Sequence, residues 1–429
     1  MNDRCLFFRK PIRCFRSSGK DRKKGETFLS ILIFNRLPHY DVPYDQWLKE
    51  LNEDLYLMTN TTYAKDFTHY AQVFAFHNYD HNSAIEFQAL QLYQEHPYHT
   101  IIATAERDIL RAARLREYLG IEGQSWESAI AFRDKVKMKS ILSDVRIQVP
   151  KYARLNSAID LYQFIQDYDY PVVVKPVDGM GSRNTTILEN DRDTIKYLTE
   201  GLEHNLEVEQ FIEGEMYHID GLILHGEIVL CWPSKYLNDC LAFHEGKYLG
   251  SYLLSPQNPL TERLQAYVRS VLNALPTPLH TSFHAEVFHT PDDELVLCEI
   301  ACRTGGSRIC EEYRQAFGVD LTKFSVQAQC GISVQLPKRL QEDKEPKSQY
   351  GFVGIPPKRG TFIKGPKAEE LPDWVTEYRL LAQPGQHYSG ANTSVDYIVT
   401  MVITGRSEQE VLRRIEEAVE MVNRKMEWK

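Results

Sequence analysis

The sequence predicts a mixed α/β and α+β chain, in which a small parallel α/β domain precedes mostly antiparallel units. Three observations carry this reading. Between residues 28 and 119 short apolar runs alternate with segments of helical periodicity, the pattern of a parallel sheet with crossover helices. Between residues 151 and 211 four strand-like runs enclose only one helical segment. Beyond residue 215 two long strand pairs turn on short polar connections, at His225-Gly226 and at Asp292-Asp293.

The first domain opens on the unbroken apolar run Phe-Leu-Ser-Ile-Leu-Ile-Phe ending at Phe34, which reads as a buried central strand. Further strands are expected at 54–58, 73–76 and 100–103, with helices at 44–53, 84–96 and 107–119. A helix over 125–142 follows. Strands are then expected at 151–155, 171–176, 185–188 and 206–211, with a helix at 157–168. After the first hairpin (216–224 and 227–234) come a helix at 256–275 and the second hairpin at 282–303. The pattern next predicts one long helix from Gly306 to about Cys330, a Pro- and Lys-rich linker at 337–347, short strands, and a final helix. Ser407 and Glu410 carry capping-box spacing at the start of that last helix.

With 429 residues, 43% hydrophobic and 25% charged, the chain has the composition of a globular protein of two or three domains. A formal net charge of -9 argues against nucleic acid or an anionic membrane surface as partner for the body of the chain. The exception is residues 1–25, a basic stretch with nine Lys or Arg against Asp3 and Asp21, expected to be an unstructured tail. No run suggests a secretory signal or a membrane span. The eight cysteines form no Cys-x-x-Cys pair and are read as reduced thiols of a cytoplasmic protein.

The second hairpin holds the most informative chemistry. If Asp292 and Asp293 centre its turn, residues pair when their numbers sum to 585, which sets Glu286 opposite Glu299. Two carboxylates at Cβ separations of roughly 4.5–5.5 Å repel unless a cation joins them. A hard divalent ion suits that position, and Mg²⁺ is commonly held by one or two carboxylates together with substrate phosphates. Two solvated glutamates are the plainer alternative.

Upstream, an apolar strand carrying Lys175 runs into Asp178-Gly-Met-Gly-Ser-Arg-Asn184. Gly179 and Gly181 let the backbone approach an anion, Ser182 offers a hydroxyl and Arg183 a charge. It is neither a Walker A loop nor a dinucleotide fingerprint, because a strand follows and no Gly-Lys-Ser/Thr is present. Next comes a strand carrying Glu209, which breaks through Gln210, Phe211 and Ile212 to Gly214. Such a connection offers main-chain donors and acceptors to a purine edge, and Glu215 stands where it would accept from ribose hydroxyls.

The order of these pieces, from Asp134-Lys135 through Lys175 and its glycine loop, Glu209 to Glu215, Glu286, and Glu299-Ile-Ala-Cys-Arg-Thr-Gly-Gly306, resembles the ATP-grasp superfamily. The resemblance spans about residues 133–330 and is greatest to L-amino-acid ligases, including those that load amino acids onto acyl carrier proteins in antibiotic pathways. It implies an ATP-grasp fold of two α+β subdomains clasping ATP, at 125–205 and 206–335. A pre-ATP-grasp domain at 26–124 would precede it and a C-terminal α+β segment at 336–429 would follow. It further implies that Lys135 and Lys175 contact ATP phosphates, that 179–183 fold over the triphosphate, and that Glu209 and Ile212 meet adenine while Glu215 meets ribose. Glu286 and Glu299 would hold Mg²⁺, or Mn²⁺ in its place, and Arg303 would steady the γ-phosphate and an acyl phosphate. One departure stands out: many relatives have Asn two residues after the second metal glutamate, where this chain has Ala301.

The implied activity is ATP-dependent: an amino-acid carboxylate is phosphorylated and then coupled to an amine or to a carrier-protein thiol, with release of ADP and phosphate, in peptide or antibiotic metabolism. His284, two residues from Glu286 on the same strand face, is expected to orient substrate or shuttle a proton. Arg308, after the Thr304-Gly-Gly turn, is the expected anchor for the amino acid. Residues 238–252 are expected to form a covering loop. A biotin-type carboxylase and a non-catalytic ATP sensor are the competing readings. The partners implied are an amino acid and an amine or acyl carrier protein, with a homodimer left open.

Overall fold

A computed structural model describes residues 30–238, 246–342 and 344–429; the basic stretch at 1–25 and residues 239–245 of the expected covering loop lie outside them. The first sheet has four parallel strands in the order Gln72–Phe76, Asp54–Asn60, Ser30–Phe34, Thr100–Ala103. Ser30–Phe34 is buried along its whole length because neighbours flank it on both edges and side chains from both faces pack against it, as the unbroken apolar run predicts. Helices Ala84–Glu95 and Glu106–Leu119 belong to this domain.

The helix expected over 125–142 is two helices, Trp126–Arg133 and Lys135–Asp144. Asp134 between them is extended, and its side chain accepts from the Lys137 backbone N–H, so the residue that ends one helix caps the next. This break makes Lys135 the first residue of a helix, with its own N–H bound to the Val177 carbonyl at 3.2 Å.

A second, antiparallel sheet runs Tyr152–Leu155, Leu206–Gln210, Val172–Pro176, Thr186–Leu188. Leu206–Gln210, expected to open the following subdomain, is instead an inner strand of this sheet, because Leu206 and Val208 pack into the core with Leu155, Leu161 and Val174.

The third sheet has eight antiparallel strands, Leu295–Ala301, Thr281–His289, Glu215–Leu224, Glu227–Tyr236, Leu249–Leu253, Gln349–Ile355, Val399–Gly405 and Val375–Leu380. The C-terminal segment is thus no separate unit at the backbone level: three of its strands extend the sheet that carries Glu286 and Glu299. Leu249–Leu253, which overlaps the end of the expected covering loop, is a strand of the same sheet. Two shorter helices, Ile309–Phe317 and Leu321–Gln329, replace the single long one, since Gly318 adopts a left-handed φ of 72° and Asp320 caps the second. The 337–347 stretch contains a short helix, Lys338–Glu342. The last helix, Glu408–Lys425, starts at Ser407, whose hydroxyl accepts from the Glu410 N–H, and it buries Val411, Ile415, Ala418 and Val422 against the large sheet. Among the described residues, no helix is long and apolar enough to cross a membrane.

Candidate active site

Glu286 and Glu299 are directly opposed in the antiparallel pair Thr281–His289 and Leu295–Ala301. The register arises in a way the turn residues alone do not predict. Thr290 and Glu294 close a loop of three residues, with Asp293 left-handed at φ 62°, so pairs near the turn sum to 584 (Val287 with Leu297). A bulge at Cys298 adds one residue, and from Glu286 onward the pairs sum to 585.

The cavity these carboxylates face, about 650 Å³, lies between the second and third sheets. Its lining brings together Lys135, Lys175, Gly179, Gly181, Ser182, Arg183, Glu209, Gln210, Phe211, Ile212, His284, Glu286, Glu299 and Arg303. A larger cleft of about 1540 Å³, between the parallel domain and residues 278–281, holds none of these residues. Two sequence candidates stand apart from the lining. The Glu215 side chain, 56% exposed, pairs with Lys235 at 2.5 Å and accepts from the Tyr217 hydroxyl at 2.9 Å, while Glu213 takes a place in the lining. Arg308, 6% exposed, is pinned to Glu311 at 2.8 Å and Glu377 at 2.6 Å, because the strand Val375–Leu380 delivers Glu377 beside it.

The charges of the site are paired across elements. Lys175 Nζ lies 2.5 Å from Glu209 and 3.7 Å from Glu207. Lys139, one helical turn beyond Lys135, binds Glu207 at 2.9 Å and also Glu209. Lys135 bridges Glu299 at 2.8 Å and the Gly179 carbonyl at 3.0 Å, which ties the glycine loop to the hairpin. Arg303 binds Glu106 at 2.7 Å, and Glu106 also holds Arg133, so the parallel domain contributes to the site. Burial opposes the Glu299 carboxylate, but Lys135 and Lys175 outweigh it and hold its pKa down at about 2. Burial likewise opposes the charge on Glu209, and Lys139 and Lys175 keep it below the usual carboxylate range.

Glu106, Arg133, Lys139 and Glu207 were not singled out from the sequence. Two of them had a local signal: Lys139 shares a helix face with Lys135 at i+4, and Glu207 shares a strand face with Glu209 at i+2.

The glycine loop turns through left-handed residues at Gly181 (φ 62°), Ser182 (φ 55°) and Asn184 (φ 56°). Asn184 has a side-chain type that tolerates this backbone. The Ser394 N–H reaches the Gly181 carbonyl at 3.4 Å, and a methyl group at Gly306 would sit 3.7 Å from Val395, so the C-terminal segment abuts both glycine turns. Val173, Ile187, Met216 and Phe288 supply apolar walls beside Phe211 and Ile212.

Next to the carboxylate pair lies a buried chain of polar groups. Asp220 accepts from His218 Nδ1 at 2.6 Å and from His284 Nδ1 at 2.9 Å. His218 Nε2 meets the Ser251 hydroxyl at 2.8 Å, and His284 Nε2 lies 3.5 Å from Glu286. Ligand atoms of His218, Asp220 and His284 fall within 4.8 Å of one another. Both Nδ1 atoms are spent on Asp220, however, so the trio reads as a hydrogen-bond relay and not as a metal cage. The Tyr236 hydroxyl donates to Glu286 at 3.1 Å.

A model of the ATP-grasp domain matches residues 132–307, the stretch from the end of the first helix of the broken pair to the Gly306 turn. The fold and that match place an ATP-grasp domain at residues 132–307. More particularly, it is similar along most of its length to the L-arginine-specific L-amino acid ligase of Bacillus subtilis, 27% identical over 396 residues, covering 89% of this chain and 94% of the relative. An L-amino acid ligase structure from Bacillus licheniformis superposes with a TM-score of 0.75 at 18% identity, covering 94% of this chain and 99% of that one. The biotin carboxylase domain of Hydrogenobacter thermophilus 2-oxoglutarate carboxylase, bound to MgADP, ADP and bicarbonate, gives 0.68 at 15% identity, over 94% and 91% of the two chains. Carboxyaminoimidazole ribonucleotide synthase of Aspergillus clavatus with ATP gives 0.69 at 14%, over 92% and 99%.

Proposed function

We propose that the chain activates the carboxylate of an amino acid with ATP and couples it to an amine, with a carrier-protein thiol as the alternative acceptor. The observation that carries this reading is the opposed pair Glu286 and Glu299 facing Lys135, Lys175 and Arg303 across one cavity. Adenine is assigned to the slot of Val173, Ile187, Met216 and Phe288, with its edge toward the backbone of Gln210 to Ile212. The phosphates are assigned to Lys135, Lys175 and residues 179–183. Ribose falls to Glu213, because Glu215 is engaged with Lys235.

Glu286 and Glu299 fit a magnesium ion: both are carboxylates on one face of a hairpin that line the cavity, with Lys135 on Glu299 and Tyr236 and His284 beside Glu286. When bound, such an ion neutralises phosphate charge and helps align the transferring phosphoryl group. Ala301, opposite His284 and buried, offers no oxygen, so the protein supplies two ligands at this point of the hairpin.

In the reaction, a carboxylate oxygen of the amino acid attacks the γ-phosphorus. The new O–P bond forms as the bond to the bridging oxygen of ADP breaks. This step depends on positioning and charge neutralisation more than on covalent help, which suits a site of lysines and an arginine. The acceptor amine or thiol then attacks the acyl carbon. A C–N or C–S bond forms, the C–O bond to phosphate breaks, and the acceptor loses a proton. Arg303 is assigned to the acyl phosphate, and His284 to the reacting acyl group. Arg308 carries no assignment, since Glu311 and Glu377 already occupy it.

A cytoplasmic location belongs to this reading and is supported by the described cysteines, all of them free thiols. The missing asparagine at Ala301 favours, as a second reading, a protein that binds ATP with little turnover. Incubation with ATP, Mg²⁺ and single or paired amino acids, with free amines or a phosphopantetheinylated carrier, separates these readings by ADP release and product mass. Amino-acid-dependent ADP formation with an amide product is expected. A thioester product would move the assignment to the carrier, and ADP formation that no carboxylate stimulates would overturn it.

A further inference from the structure

The strands Glu215–Leu224 and Thr281–His289 pair so that Asp220 lies opposite His284 and His218 opposite Glu286. These four polar groups thus share one sheet face, in a layer where Phe352, Tyr313 and Ile309 are also buried. Asp220 and His218 are wholly buried, and only His284 and Glu286 reach the cavity. Placing an aspartate and two histidines in such a layer costs free energy unless every polar atom is matched. Here the contacts form one continuous line, with Ser251 against His218, His218 and His284 both donating to Asp220, and His284 reaching outward to Glu286.

An ionised carboxylate only accepts, so both imidazoles carry their protons on Nδ1, and the His284 ring is held with Nε2 toward the cavity. The Gly305 backbone closes over this contact. A Cβ there would come within 2.6 Å of Asp220 Oδ1 and 2.8 Å of His284 Nδ1, so glycine lets the Thr304–Gly306 turn cover the pair and exclude water. Two strands already joined by backbone hydrogen bonds have no need of this chain to hold them together.

Resting on the ligase reading above, we propose that Asp220 is a positioning residue for catalysis: it holds the Nδ1 proton and the ring plane of His284 so that Nε2 meets the acyl group being activated. His218 and Ser251 hold Asp220 in turn from the buried side.

Asp220→Asn tests this, because the amide keeps the shape but offers one imidazole a donor where it needs an acceptor. The expected result is a fall in kcat of at least about 10²-fold, with KM for ATP changed by less than about threefold. His284→Gln should give a similar loss, and the double variant should be no worse than His284→Gln alone. A kcat for Asp220→Asn close to the unaltered value, or losses that multiply in the double variant, would overturn the proposal. If Asp220→Asn does not fold, ¹⁵N-histidine spectra of the unaltered protein decide, with His284 assigned through His284→Gln: a protonated Nδ1 supports the proposal and an unprotonated Nδ1 overturns it. The ligase reading fails separately, when the unaltered protein releases no ADP with any amino acid.

Discussion

Two networks of ion pairs in this molecule both join basic side chains to carboxylates and differ in what they face. In the first, Lys135, Lys139 and Lys175 answer Glu207, Glu209 and Glu299, and four of the six line the cavity. In the second, Arg308 answers Glu311 and Glu377, while Arg379 reaches Asp41 at 2.5 Å and Glu311 at 3.6 Å, and no member lines that cavity. The second joins the parallel domain, the Ile309–Phe317 helix and the C-terminal strand Val375–Leu380. Pairing alone therefore does not mark function. The distinction is whether an incoming charge can enter and replace a partner, as a triphosphate can for the lysines of the first network.

Substitutions can break that comparison, beginning with the largest effect. Glu299→Gln, nearly isosteric, should lower ADP formation about 10³-fold with little change in melting temperature, measured by a coupled assay and circular dichroism. Retained activity would remove Glu299 from the metal pair. Lys175→Met should lower ADP formation about 10²-fold and raise KM for ATP, since Glu209 would be left facing the nucleotide with only Lys139 to answer it.

Arg308→Met should do the reverse. Breaking a buried pair and leaving Glu311 only the more distant Arg379, at 3.6 Å, should cost about 3 kcal/mol in denaturant unfolding, with activity per folded molecule retained. A rise in KM for the amino acid at unchanged stability would instead return Arg308 to the substrate. The smallest effect concerns thiols: burial pushes Cys231, Cys298 and Cys330 up to about 12, so iodoacetamide at pH 8 should leave them unlabelled in native protein, as read by peptide mass.

Much of the site was legible because its parts are local. The hairpin turn is close in sequence to Glu286 and Glu299, so their opposition follows from counting, although the three-residue turn and the Cys298 bulge were invisible and cancelled each other. The left-handed loop residues are those whose types permit it. What failed was set by distant strands. Glu377 neutralises Arg308 across 69 residues, Lys235 claims Glu215 across 20, and Leu206–Gln210 joins the earlier sheet because its core faces Leu155 and Val174. Asp220 gave no signal at all, since an acid in an apolar strand acquires meaning only from the histidine that pairing brings opposite it.

The central claim is that phosphate from ATP is passed to a carboxylate in this cavity. It is tested most directly with an amino acid labelled with ¹⁸O in its carboxylate, turned over with ATP, Mg²⁺ and an acceptor amine. Attack by the carboxylate on the γ-phosphorus predicts one ¹⁸O in each phosphate released. Phosphate free of label, formed at the same rate as ADP, would contradict it.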